Sequence, residues 1–152
     1  MTAFEMAIQP LKKYADFAGR ASRSEFWFFL LLVVVVQAVA RVVDLFFGRG
    51  MILPGVFSML AAVLLFVPQL AVTVRRLHDV NRSGRDLIVP FVMLMAMPLF
   101  VIFRGVIAGM IALGYYGIVL LLFANLVLVL VKKGSSIPNR YGKSPAAFSF
   151  AR

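Results

Sequence analysis

Between residues 25 and 131 the chain is a succession of apolar runs close to the length of about 17 to 25 residues that crosses a bilayer. The first, EFWFFLLLVVVVQAVARVVDLFF at 25–47, opens on Phe26, Trp27, Phe28 and Phe29, which suit the membrane–water interface, and closes on GRG at 48–50. The second, 51–74, carries Pro54 near its start and Pro68 as an expected kink. The third, 87–103, is short, and the fourth, 106–131, is long, with their shared turn near Arg104 and Gly105. Four valines at 33–36 have strand propensity, but their apolar context far exceeds a strand of 4 to 8 residues, and an open sheet edge cannot face lipid. Nor does any run alternate in polarity as a membrane barrel strand must. The expected fold is all-α and integral to the membrane: four transmembrane helices at 25–47, 51–74, 87–103 and 106–131.

Composition agrees. Of the 152 residues, 62% are hydrophobic and 14% charged, against about 25% charged in soluble domains. A chain of this size buries roughly 60 to 70% of its unfolded surface, so the bilayer must cover the rest. Cysteine is absent and histidine occurs once, which leaves neither a disulfide framework nor a metal site to expect, and no cofactor motif is present. Residues 1–24 lack the apolar core of a signal peptide, so the first run is expected to be retained. Within that segment Phe4, Ile8, Leu11 and Ala15 fall at helical spacing, as in a surface-lying helix or an ordinary soluble cap, started or broken at Pro10.

Charge sets the expected orientation. Lysine and arginine number four before the first run (Lys12, Lys13, Arg20, Arg23), four in the loop expected at 75–86 (Arg75, Arg76, Arg82, Arg85) and five in the tail at 132–152 (Lys132, Lys133, Arg140, Lys143, Arg152). The two short turns hold one each, Arg49 and Arg104. Thirteen against two puts the three basic segments, and both termini, in the cytoplasm. The net charge of +10 then needs no nucleic acid.

Three motifs carry a resemblance. FAGRASRSEFW before the first run, RRLHDVNRSGRD after the second and NRYGKSP after the last occur in this order. Together they resemble the signatures of a bacterial inner-membrane family known as domain of unknown function 805, the YhaH-like proteins. Arg85 and Asp86 stand where that family often has aromatic residues, and IPNRYG lacks a glycine usual before the proline. The resemblance implies a small multi-pass protein of the bacterial inner (plasma) membrane and brings no established activity with it.

Two readings of the charged loop stand side by side. Arginines at a cytoplasmic boundary commonly act only as solvated topology signals, yet His78 and Asp79 interrupt the basic run, and a loop needing charge alone has no use for an imidazole. Asp79 is expected to pair with Arg75, Arg76 or Arg82, to orient His78, or to cap the NRSG turn. If the three motifs meet on one face, Arg20, Arg23, Arg75, Arg76, His78, Asp79, Arg82, Asn139 and Arg140 form a candidate site for an anion or lipid head group. Arg41 and Asp44, one helical turn apart near the end of the first run, read as a structural ion pair. Gly105 to Gly109 matches GxxxG, and an apolar surface all round favours a homo-oligomer.

No catalytic constellation is evident, so an enzyme is not expected. Two functions remain: a binding or scaffold module whose basic face holds an anionic ligand, anionic phospholipid or protein partner, and an oligomeric channel or small-solute transporter. A wet path lined by Gln37, Gln69 and Asn125 would favour the channel; a closed bundle with an ordered basic pocket favours the module.

Overall fold

A computed structural model describes residues 2–47, 55–96 and 106–145. The expected hairpin at 48–50, Pro54, the second half of the third run, the turn at Arg104 and Gly105, and Arg152 lie outside the described residues.

Five helices follow in order: α1 (Ala3–Lys12), α2 (Arg23–Phe46), α3 (Val56–Asp79), α4 (Ile88–Ala96) and α5 (Val106–Val131), with a 3₁₀ turn at Gly84–Leu87 running into α4. No strand occurs among the described residues. Three stretches, Arg23–Phe46, Val56–Asp79 and Gly109–Val131, are each long and apolar enough to cross a membrane. Of the expected third span, α4 covers the first part.

The local chemistry explains the boundaries. Ser22 caps α2, its hydroxyl accepting from Glu25 N at 3.1 Å, so this helix begins two residues before the run of apolar residues does. More consequential is the other end of α3: the helix continues through Arg75, Arg76, Leu77, His78 and Asp79, residues that hydropathy alone assigns to the loop. It stops where Asn81 adopts φ 60° and the N–H groups of Asn81 and Arg82 return to the carbonyls of His78 and Leu77, at 3.1 and 2.9 Å. That is a Schellman closure with asparagine in the left-handed position. Charged side chains are tolerated in this last turn because the protein, not lipid, surrounds them.

Helix α1 opens with a capping box between Thr2 and Glu5 and packs chiefly against α2. Met6 and Pro10 are its buried residues, while Phe4 is 72% and Leu11 38% exposed. Beyond it, Tyr14 donates its hydroxyl proton to the Leu64 carbonyl at 2.6 Å. Pro68 has no N–H to offer that carbonyl four residues earlier, and the tyrosine supplies the missing donor.

The apolar core gathers at one end of the bundle. Ala21, Phe26, Phe29, Val72, Leu77, Val129 and Leu130 form one buried cluster beside the charged motifs. Away from it the helices present leucine, valine and phenylalanine outward, as a lipid-facing surface does.

Candidate functional site: an arginine–aspartate lock

Asp79 occupies the centre of the charged end. Arg20, just before α2, gives Nε and Nη2 to Asp79 Oδ1 at 2.9 and 2.8 Å; Arg76 gives Nη1 to Oδ2. The remaining N–H groups of Arg20 go to the carbonyls of Ile137 (3.0 Å), Gly142 (3.3 Å) and Ser135, so all five donors are used. Arg76 donates Nε to Leu130 O at 3.0 Å and Nη2 to Lys132 O, covering carbonyls that α5 leaves open at its end. Arg76 is 0% exposed and Asp79 3%. A guanidinium suits this place because it stays charged and its fork reaches several planar acceptors at once. Gly134 completes the fit, since a Cβ there would overlap the Asp79 carboxylate.

A second layer surrounds this lock. The ring of His78 stacks on Tyr141 with centroids 3.8 Å apart and planes within 4°, and its Nδ1 lies 3.1 Å from the Gly19 carbonyl. Gly19 itself holds φ 79°, a conformation that favours glycine. The Arg140 guanidinium lies over the Tyr141 ring at 4.8 Å from its centre. Asn139 donates to His78 O and accepts from Tyr141 N, both at 2.9 Å, while Asn139 and Gly142 exchange main-chain hydrogen bonds. Buried Arg75 lies 3.3 Å from Glu25, and its own carbonyl accepts from Ala21 N at 3.0 Å.

The three sequence motifs therefore converge, as their common end required, and much of what they encode is spent on one another. Asp79 takes Arg76, one of its expected partners, together with Arg20, which is 59 residues away. Arg82 instead pairs with Asp86 at 3.3 Å on the surface. Of the nine candidate residues, Arg20, Arg75, Arg76 and Asp79 are buried, and Arg20 has no donor left for a ligand. Arg23, Arg82 and Arg140 remain exposed.

At the opposite end of the α2–α3 pair a feature appears that the charge pattern did not indicate. The Asp44 carboxylate accepts from Phe57 N (3.0 Å) and Ser58 N (2.8 Å), capping α3 from a neighbouring helix. Arg41, its expected partner, lines the α2–α3 groove together with Gln37, Ala38, Ser58, Met59 and Ala62. With its amide oriented to satisfy both atoms, Gln37 donates to Ser58 O at 3.2 Å and accepts from Ala62 N at 3.0 Å. Asn125 lines a separate cavity with Arg82, Asp86 and Leu77. Among the described residues no group of three or more His, Cys, Asp or Glu is placed to hold a metal.

Apolar helices of bilayer length, tied together at one end by a buried arginine–aspartate lock, define a small all-helical integral membrane protein. The chain belongs to the family described as Protein of unknown function (DUF805), whose profile matches residues 14–143. It is 37% identical over 138 residues to Inner membrane protein YhaI of Escherichia coli (strain K12), covering 91% of this chain and 92% of that protein. To Inner membrane protein YhaH of the same organism it is 36% identical over 81 residues, 51% of this chain and 64% of that one. No solved structure matches. The protein is accordingly a multi-pass protein of the inner membrane.

Proposed function

We propose that the protein is a non-catalytic binding or scaffold module: four spans, both termini cytoplasmic, and a rigid basic cytoplasmic face that holds an anionic ligand. The observation that carries this reading is the division of the basic residues. Three arginines are buried, Arg20 and Arg76 in the lock and Arg75 beside it, whereas Lys12, Lys13, Arg23, Arg82, Arg85, Lys132, Lys133, Arg140 and Lys143 remain exposed on the segments it ties together. An ordered platform with a basic rim attracts anionic head groups at about 1 kcal/mol for each basic group near the surface. For a channel, Gln37 and Asn125 would have to share a path, yet they line different grooves, which favours the module.

The test is lipid retention. Native mass spectrometry of the protein released from vesicles of phosphatidylcholine and phosphatidylglycerol should find the anionic lipid enriched, with the preference fading as salt rises. Equal retention of both lipids refutes the basic-face reading. Orientation is checked separately: single cysteines at Arg49 or Arg104 should react with an impermeant reagent from outside, those at Ser83 or Ser144 should not, and the reverse pattern refutes it. Self-association through α5 belongs to the same reading, because a Cβ at Gly109, Gly114 or Gly117 would meet nothing within 4 Å in the chain itself. A monomer in both mild detergent and lipid discs would count against it.

A further inference from the structure

Within the exposed basic rim one position joins charge to an apolar wall. Arg23 opens α2, is exposed, and its guanidinium makes no hydrogen bond or ion pair among the described residues. With Ser24, Trp27, Phe28 and Val131 it lines a groove of about 390 Å³ between the start of α2 and the end of α5. Trp27 is 39% exposed and is braced edge-on by buried Phe26, ring centres 5.2 Å apart, which makes it a firm apolar wall. Lys132 and Lys133, both exposed, follow Val131 directly.

The local charge is unbalanced. Arg20, Arg23, Arg75 and Arg76 gather here with two carboxylates, Glu25 and Asp79; four cations against two anions leave two positive charges over. Both Asp79 oxygens are occupied by guanidinium groups, and Glu25 faces Arg75, so neither carboxylate is turned over to Arg23. Resting on the basic-face reading above, we infer that this groove binds an anionic phospholipid of the bilayer: its phosphate against Arg23 and Ser24, its acyl chain along Trp27, Phe28 and Val131. A soluble phosphate would leave the aromatic wall unused, and a zwitterionic lipid would leave the excess charge uncompensated. The two spanning helices that form the groove supply the direction in which the acyl chain runs.

Arg23→Gln, Trp27→Ala and Arg85→Gln are compared with the wild type after release from vesicles of phosphatidylcholine and phosphatidylglycerol in equal amounts, by native mass spectrometry of retained lipid. Arg85 is exposed and does not line the groove, and serves as the control for charge alone. Arg23→Gln should lower phosphatidylglycerol retention about five-fold, the equivalent of one basic group near an anionic surface. Trp27→Ala should also lower it, and Arg85→Gln, which removes one charge of the rim outside the groove, should lower it clearly less than Arg23→Gln does. Thermal stability of Arg23→Gln in lipid-free detergent should match the wild type, because Arg23 has no hydrogen-bond or ion-pair partner among the described residues to lose. Equal losses in Arg23→Gln and Arg85→Gln overturn the groove while the basic face stands. No preference in the wild type overturns both, and displacement of phosphatidylglycerol by an equal concentration of inorganic phosphate reassigns the groove to a soluble anion.

Discussion

Asp79 and Asp44 stand at opposite ends of the same helix pair, and each is pressed against a glycine, Gly134 or Gly55, whose Cβ would overlap its carboxylate. The ends neutralise their carboxylates differently. Asp79 takes two buried guanidinium groups, and through them the first segment, α3 and the tail are joined; Asp44 takes two main-chain N–H groups of one helix start. The first arrangement brings formal charges out of water in pairs, so losing one member strands the others, whereas the second only removes a cap. A bundle can thus hold one end by mutual charge and the other by backbone dipoles, at very different risk.

That contrast is measurable. Asp79→Ala should destabilise the protein by about 3 to 5 kcal/mol, as removal of one partner of a buried ion pair does. Asp44→Ala should cost about 0.5 to 2 kcal/mol, the range for a lost helix cap. Denaturant midpoints in mixed micelles would read both, and similar values would erase the distinction. Smaller still, and informative about the tail alone, His78→Ala removes the ring stack on Tyr141 and should cost about 0.5 to 1.5 kcal/mol, with protease access to the tail rising before the spans loosen. Smallest is Arg82→Gln: the Arg82–Asp86 pair is exposed, and its loss should stay within about 1 kcal/mol. A cost above that would mean that charge in the 80–86 turn also supports the lock.

The membrane class, three of the helices and the convergence of the motifs were legible because charge set in a long apolar background is conspicuous. What escaped was carried by the main chain. Arg20 and Arg76 find carbonyl acceptors in the tail and at the end of α5, and no side-chain pattern marks a carbonyl. Helical spacing sets Asp44 beside Arg41, but it gives no sign that the same carboxylate also accepts from the N–H groups of Phe57 and Ser58. The extension of α3 to Asp79 does carry a sequence signal: basic residues in the last turn followed by an asparagine able to adopt a left-handed conformation are helix-stop chemistry, not loop chemistry. Tyr14 at the Pro68 gap had none, since nothing in either neighbourhood names the other.

The five carbonyls that receive Arg20 and Arg76, those of Leu130, Lys132, Ser135, Ile137 and Gly142, belong to the backbone, so the lock registers spacing along the chain and is largely blind to spelling. Apart from Gly134, Ser135, Asn139, Arg140, Tyr141 and Gly142, which have steric or side-chain roles, positions between Lys132 and Gly142 can drift in sequence without disturbing it. A single inserted or deleted residue would slide every acceptor that follows it out of register at once. Selection on this stretch should therefore act on length far more strictly than on letters.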